Sequence, residues 1–139
     1  MTNQLSQHFS LGEFTRSATA EKLGICNEPP VTVVSNLQCL CQKVLEPLRT
    51  YADSPIVISS GYRCQQLNEA VGGVKNSQHC TGEAADIHLP DIKTGRAWFD
   101  FIARFLVFDQ LIWEHSADAT WIHVSHRRRG CNRRRIMEG

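Results

Sequence analysis

Ser77-Gln78-His79-Cys80-Thr81-Gly82-Glu83-Ala84-Ala85-Asp86-Ile87-His88-Leu89 passes from a polar, glycine-containing loop into a run that reads as a strand from Ala84 to Leu89. Alternate side chains of a strand share a face, so Asp86 projects with Ala84 and His88 while Ala85 and Ile87 point the other way. Gly82 lets the backbone turn sharply, and Ala84 and Ala85 leave space beside it, so His79 in the loop and Asp86 in the strand can meet at one ion. Downstream, Trp121-Ile122-His123-Val124-Ser125 alternates in the same way and can point His123 into the same cleft. Two histidines and one aspartate supply three ligands to zinc, and three rather than four leave a coordination position open for water or substrate. His88, His115 and His126 compete for the role; His88 would have to replace Asp86 on its own strand face, and His126 falls on the face opposite His123.

The flanking sequence supplies a scaffold. Ser10-Leu11-Gly12-Glu13 has the form of a capping box and starts a short helix, and Thr19 to Leu23 is a second one stopped at Gly24. Leu37, Leu40, Cys41, Val44, Leu45 and Leu48 repeat at helical spacing and mark the main core helix, which Pro47 is expected to kink or shorten. Pro55 to Ser59 reads as a buried strand, Gln65 to Val71 as a helix ended by Gly72-Gly73, and Thr94 to Phe105 as an amphipathic helix. Phe108 to Glu114 and Trp121 to Ser125 are close enough in sequence to form an antiparallel hairpin. The expected fold is α+β, one domain over residues 1–139, with a small antiparallel sheet, N-terminal helices and one crossover helix.

Composition narrows the class. At 139 residues with 42% hydrophobic and 21% charged residues, the chain can bury one core. A net charge of +1 gives no global pull toward nucleic acid or membrane, and no apolar run approaches the length of a membrane span. Six arginines cluster between Arg127 and Arg135, but without aromatic interleaving or a recognisable binding fold they read as a solvated terminus rather than a nucleic-acid site. Neither nucleic acid nor membrane is expected as a partner, and the chain is expected to act as a monomer. Met1 to His8 lacks the basic start and apolar run of a signal peptide, so synthesis in the cytoplasm and reduced cysteines are expected for Cys26, Cys39, Cys41, Cys64, Cys80 and Cys131.

Ser77, His79, Gly82, Ala84 and Asp86 match the Ser-x-His-x-x-Gly-x-Ala-x-Asp signature of the zinc D-alanyl-D-alanine carboxypeptidases and the related phage and bacterial peptidoglycan peptidases. His123 in Trp-Ile-His-Val-Ser resembles their last metal histidine, and Ser60-Gly61-Tyr62-Arg63 resembles their substrate-binding arginine motif, so the similarity runs from about Phe9 to Arg135. The resemblance implies a zinc peptidase acting on peptidoglycan stem peptides, as a carboxypeptidase or an endopeptidase of the phage-lysin kind. Without an export signal such an enzyme would reach the wall after lysis or in a virion.

The chemistry needs a general base and a substrate clamp. Many relatives carry an acid three residues before the last histidine, where this chain has Thr120, which cannot act as a base. Other relatives, including the similar zinc site of the hedgehog signalling domain, place a glutamate farther upstream. Glu114, ending the strand before that of His123, is the corresponding residue here, with Asp118 as second choice. Arg63 suits a carboxylate through two parallel hydrogen bonds, and Ser77 and Gln78 either contact substrate or cap the turn. The missing acid at position 120 also leaves open a zinc-binding module without catalysis.

Overall fold

The computed structural model describes residues 3–139. Helix α1 (Leu11–Thr15) begins where the capping box places it, with the Glu13 carboxylate accepting the Ser10 amide at 2.7 Å. Helix α2 (Ala18–Leu23) stops at Gly24, whose φ of 66° is the left-handed turn that glycine adopts without a Cβ penalty.

The core helix is longer than its sequence suggests. It runs as α3 (Val31–Leu40), a π turn over Cys41–Leu45, and α4 (Glu46–Ala52). Pro47 does not shorten it: the π turn just before it moves the Glu46 amide onto the Cys41 carbonyl, so the helical ladder is already interrupted where proline would break it. Leu37, Leu40, Cys41, Val44, Leu45 and Leu48 are fully buried along this helix. Burial pushes the Cys41 thiol up to about 12, as befits a small apolar core residue, and all six cysteines are free.

Five strands form one sheet in the order β1-β2-β4-β3-β5: β1 (Ile58–Ser60), β2 (Ala84–His88), β3 (Gln110–His115), β4 (Thr120–Ser125) and β5 (Arg135–Glu138). Between β1 and β2 lie α5 (Gln65–Ala70) and a 3-10 turn at Gln78–Thr81. The expected β3–β4 hairpin is present, and α6 (Ile92–Phe105) crosses from β2 to β3, with β4 inserted between those two strands. The first four strands in this order pair antiparallel, but β5 lies parallel to β3, so the sheet is mixed rather than purely antiparallel. The arginine-rich segment that reads as a solvated terminus therefore ends in a sheet strand. An ion pair from Arg96 of α6 to Glu138 at 2.8 Å fastens it, and the same guanidinium lies 3.9 Å over the Trp113 ring.

The period of two sorts the sheet into two faces. Ala85, Ile87, Leu111, Trp113, Ile122 and Val124 are buried on the face covered by the core, into which α6 packs Trp98, Phe99 and Ile102. Asp86, Gln110, Ile112, Glu114, Trp121 and His123 are half-buried on the opposite face and line a cleft.

Candidate metal centre

The register brings the first half-site onto the second. Asp86 pairs with His123 across β2 and β4, so the two side chains stand directly opposite, with His123 Nδ1 3.0 Å from Asp86 Oδ1. His79 reaches the same oxygen from outside the sheet, its Nε2 3.2 Å away. It comes from the 3-10 turn, whose first amides are capped by the Ser77 hydroxyl accepting the His79 N–H at 3.1 Å. Gly82 ends that turn at φ 77°, and a Cβ there would meet Val33 at 2.7 Å, so the turn can lie against α3 only with glycine at this position.

The far ring nitrogen of His79 fixes its tautomer. Nδ1 lies 2.7 Å from the Gly61 carbonyl, which can only accept, so Nδ1 carries the proton and Nε2 presents a lone pair to the cleft. One donor atom each from His79, Asp86 and His123 lie within 4.8 Å of one another, the convergence a single ion requires. Burial works to raise the Asp86 pKa, but the contacts with the His123 and His79 rings outweigh it and hold the carboxyl well below the usual range. The group is therefore an anion ready to meet a cation.

The other histidines lie elsewhere: His126 gives its Nδ1 to the Val107 carbonyl at 2.8 Å, and His88 and His115 are exposed. Among the described residues His79, Asp86 and His123 are the cluster that can hold a metal.

A cleft of about 530 Å³ opens over these donors and is lined also by Arg63, Ser77, Gln78, Gln110, Glu114, Trp121, Arg127 and Arg133. Glu114 pairs with Trp121 and is thus diagonal to His123, which pairs with Ile112. Asp118 and Thr120 line a separate depression with His88 and Asp91. Position 120 faces away from the cleft because an odd offset from His123 puts it on the other side of β4.

Arg63 is set by its backbone. Its amide donates to the His79 carbonyl at 3.1 Å, the preceding Tyr62 amide binds the Phe14 carbonyl, and the next residue, Cys64, donates to Asn27 Oδ1 at 2.7 Å. Gly61 allows the approach to α1, since a Cβ there would fall 2.6 Å from the Phe14 backbone. Three buried polar atoms on the cleft residues have no partner in the protein: Arg63 Nε, Trp121 Nε1 and Gln78 Oε1. Buried polar groups are rarely left so, and here two donors and one acceptor line the same opening.

Sequence reasoning missed Asn27, Asp109, Arg127 and Arg133. Asn27 is an isolated amide before a proline pair, and its clamp on residues 62–64 has no local signal. Asp109 is a single acid beside an apolar strand; a charge that must be buried there was the available hint.

No curated protein matches this chain. The Peptidase M15 family, by contrast, matches residues 7–126, which include His79, Asp86, His123, Arg63 and Glu114. The chain belongs to this family of metal-dependent peptidases.

Proposed function

We propose that the protein is a zinc-dependent peptidase that hydrolyses stem peptides of peptidoglycan. The observation that supports this most is the shared cleft in which His79, Asp86 and His123 converge while Arg63 and Glu114 line the same walls. Two neutral imidazole nitrogens and one carboxylate are a donor set that fits zinc, and three protein donors are the number found where zinc is catalytic. His79, Asp86 and His123 would hold the ion. When bound, zinc supplies Lewis-acid polarisation of a carbonyl and makes water more acidic.

The residues of the chain supply the rest. Glu114 takes the proton from the attacking water on its carboxylate and delivers it to the departing amine. Arg63, with its buried Nε unsatisfied, holds a carboxylate or carbonyl of the peptide, and the Trp121 indole N–H offers a second donor to the peptide backbone. Asp118 faces another depression and takes no part. Ser77 positions the His79 turn through its hydroxyl rather than touching substrate.

Incubation of the purified protein with muropeptides, read by mass spectrometry with and without chelator, tests the proposal. Cleavage should require zinc. Glu114→Gln should retain the metal and lose rate by about two to four orders of magnitude, the scale of general acid–base catalysis. Zinc binding with no cleavage of any stem peptide would leave a non-catalytic zinc module, and no zinc binding would overturn both readings.

A further inference from the structure

Residues 127–139 lie beyond the matched range of the family, yet the chain turns back there and adds two cations to the cleft. The turn is closed by Asn132, whose Oδ1 accepts the Arg127 amide at 2.8 Å and whose Nδ2 donates to the Arg127 carbonyl at 3.1 Å. The Asp109 carboxylate, fully buried, then collects the side chains. Arg133 Nε binds Oδ1 at 3.0 Å and Arg133 Nη2 binds Oδ2 at 2.8 Å, while Gln78 Nε2 and Arg127 Nε reach Oδ2 at 3.1 and 3.3 Å.

These contacts divide the labour. Arg133 meets Asp109 fork to fork, so their charges cancel and the guanidinium is committed to structure. Arg127 meets the same carboxylate only as an ion pair, Nε to Oδ2 at 3.3 Å, and its guanidinium makes no hydrogen bond among the described residues. Two guanidiniums thus share one carboxylate at this end of the cleft. The bond to Asp109 also fixes the Gln78 amide: Nε2 must face the carboxylate, so Oε1 is an acceptor, buried and unpaired, on the cleft wall.

We propose that this end of the cleft is a second anion subsite, in which Arg127, held by Asp109, binds a side-chain carboxylate of the peptide while Gln78 Oε1 accepts an adjacent N–H. The subsite makes the protein selective for peptides that carry an acidic residue beside the bond cleaved. It rests on the peptidase reading for the nature of the ligand, but its own test is binding. Arg127 fixes specificity; it does not touch the reacting atoms.

The zinc-loaded protein is titrated with fluorescent tripeptides identical except for glutamate or glutamine at each position in turn. At one position the acid should bind about tenfold to a hundredfold more tightly than the amide, the size of a charge-assisted hydrogen bond. Arg127→Met should abolish that preference with the affinity for the amide peptide unchanged, and Arg127→Lys should restore part of it. In turnover the preference should appear in KM, with kcat altered little. Equal affinity for both peptides in the wild type, a preference that survives Arg127→Met, or equal weakening of both peptides would overturn the subsite. So would protection by inorganic phosphate or polyphosphate without any discrimination between the peptides, which points to a polymer-binding patch. Acid preference without cleavage would sink the peptidase reading and leave the subsite standing; cleavage without acid preference would do the reverse.

Discussion

Single residues carried most of the site in their spacing. Asp86 and His123 could be placed from sequence because strand alternation is rigid, and His79 because Gly82 announces a turn that only a few backbones can make. Asp109 could not, since nothing local shows that an aspartate will receive two arginines and a glutamine from distant parts of the chain. Gly82 offers a test of how the turn is held. Its φ of 77° and the Val33 carbonyl 2.7 Å from a would-be Cβ both oppose a side chain, whereas Gly72, at φ 74°, faces open space. In chemical denaturation Gly72→Ala should cost about 1 kcal/mol, the conformational penalty alone, and Gly82→Ala distinctly more, about 2–4 kcal/mol. Zinc affinity should fall only in the second variant, because that displacement moves His79. Equal losses would mean that contact with α3 does not matter.

At the scale of elements, the strands and helices with strong period were legible, and those made by distant partners were not. The π turn before Pro47 is one such case: periodicity shows a helix but not which carbonyl each amide finds. Strand β5 is the other. Arg133-Arg134-Arg135 has no strand pattern, yet Arg135 N donates to the Asp109 carbonyl, Arg134 N to that of Phe108, and the Arg134 guanidinium stacks 4.8 Å from the Phe108 ring. The Asp109 carboxyl is the anchor. Hydrogen bonds from Arg133 above all hold its pKa well below the usual range, against the effect of burial. A folded value below the unfolded one means that this stabilisation is complete above the ordinary aspartate value of about 4 and is lost as pH falls through the folded value. Backbone amide shifts of residues 135–138 should therefore stay constant from neutral pH down to about 4 and move toward disordered values below it. Asp109→Asn should loosen the strand already at neutral pH. A strand indifferent to that substitution would show that the Arg96–Glu138 contact holds it instead.

For the molecule as a whole, one sheet serves two purposes, and the partition explains what metal should do to stability. The apolar face is buried under α6 and the long α3–α4 helix, so the core does not depend on the ion. The polar face gathers one carboxylate and two imidazoles from β2, β4 and the turn before β2, segments that converge only in the folded chain. A ligand that binds the folded state alone stabilises it by mass action, by about 2.7 kcal/mol at a hundredfold excess over its dissociation constant. Thermal unfolding should therefore remain cooperative in chelator, because the core is complete without zinc, and the midpoint should rise with zinc by roughly 5–10 °C for a chain of this size. Asp86→Ala should abolish the rise while leaving a folded protein, since its side chain borders the cleft and not the core. Glu114→Gln should keep it, because Glu114 is assigned to the proton and not to the metal. A chain that unfolds in chelator would make the ion a structural part of the fold, and a shift that disappears in Glu114→Gln would make Glu114 a fourth ligand, closing the position that catalysis needs open.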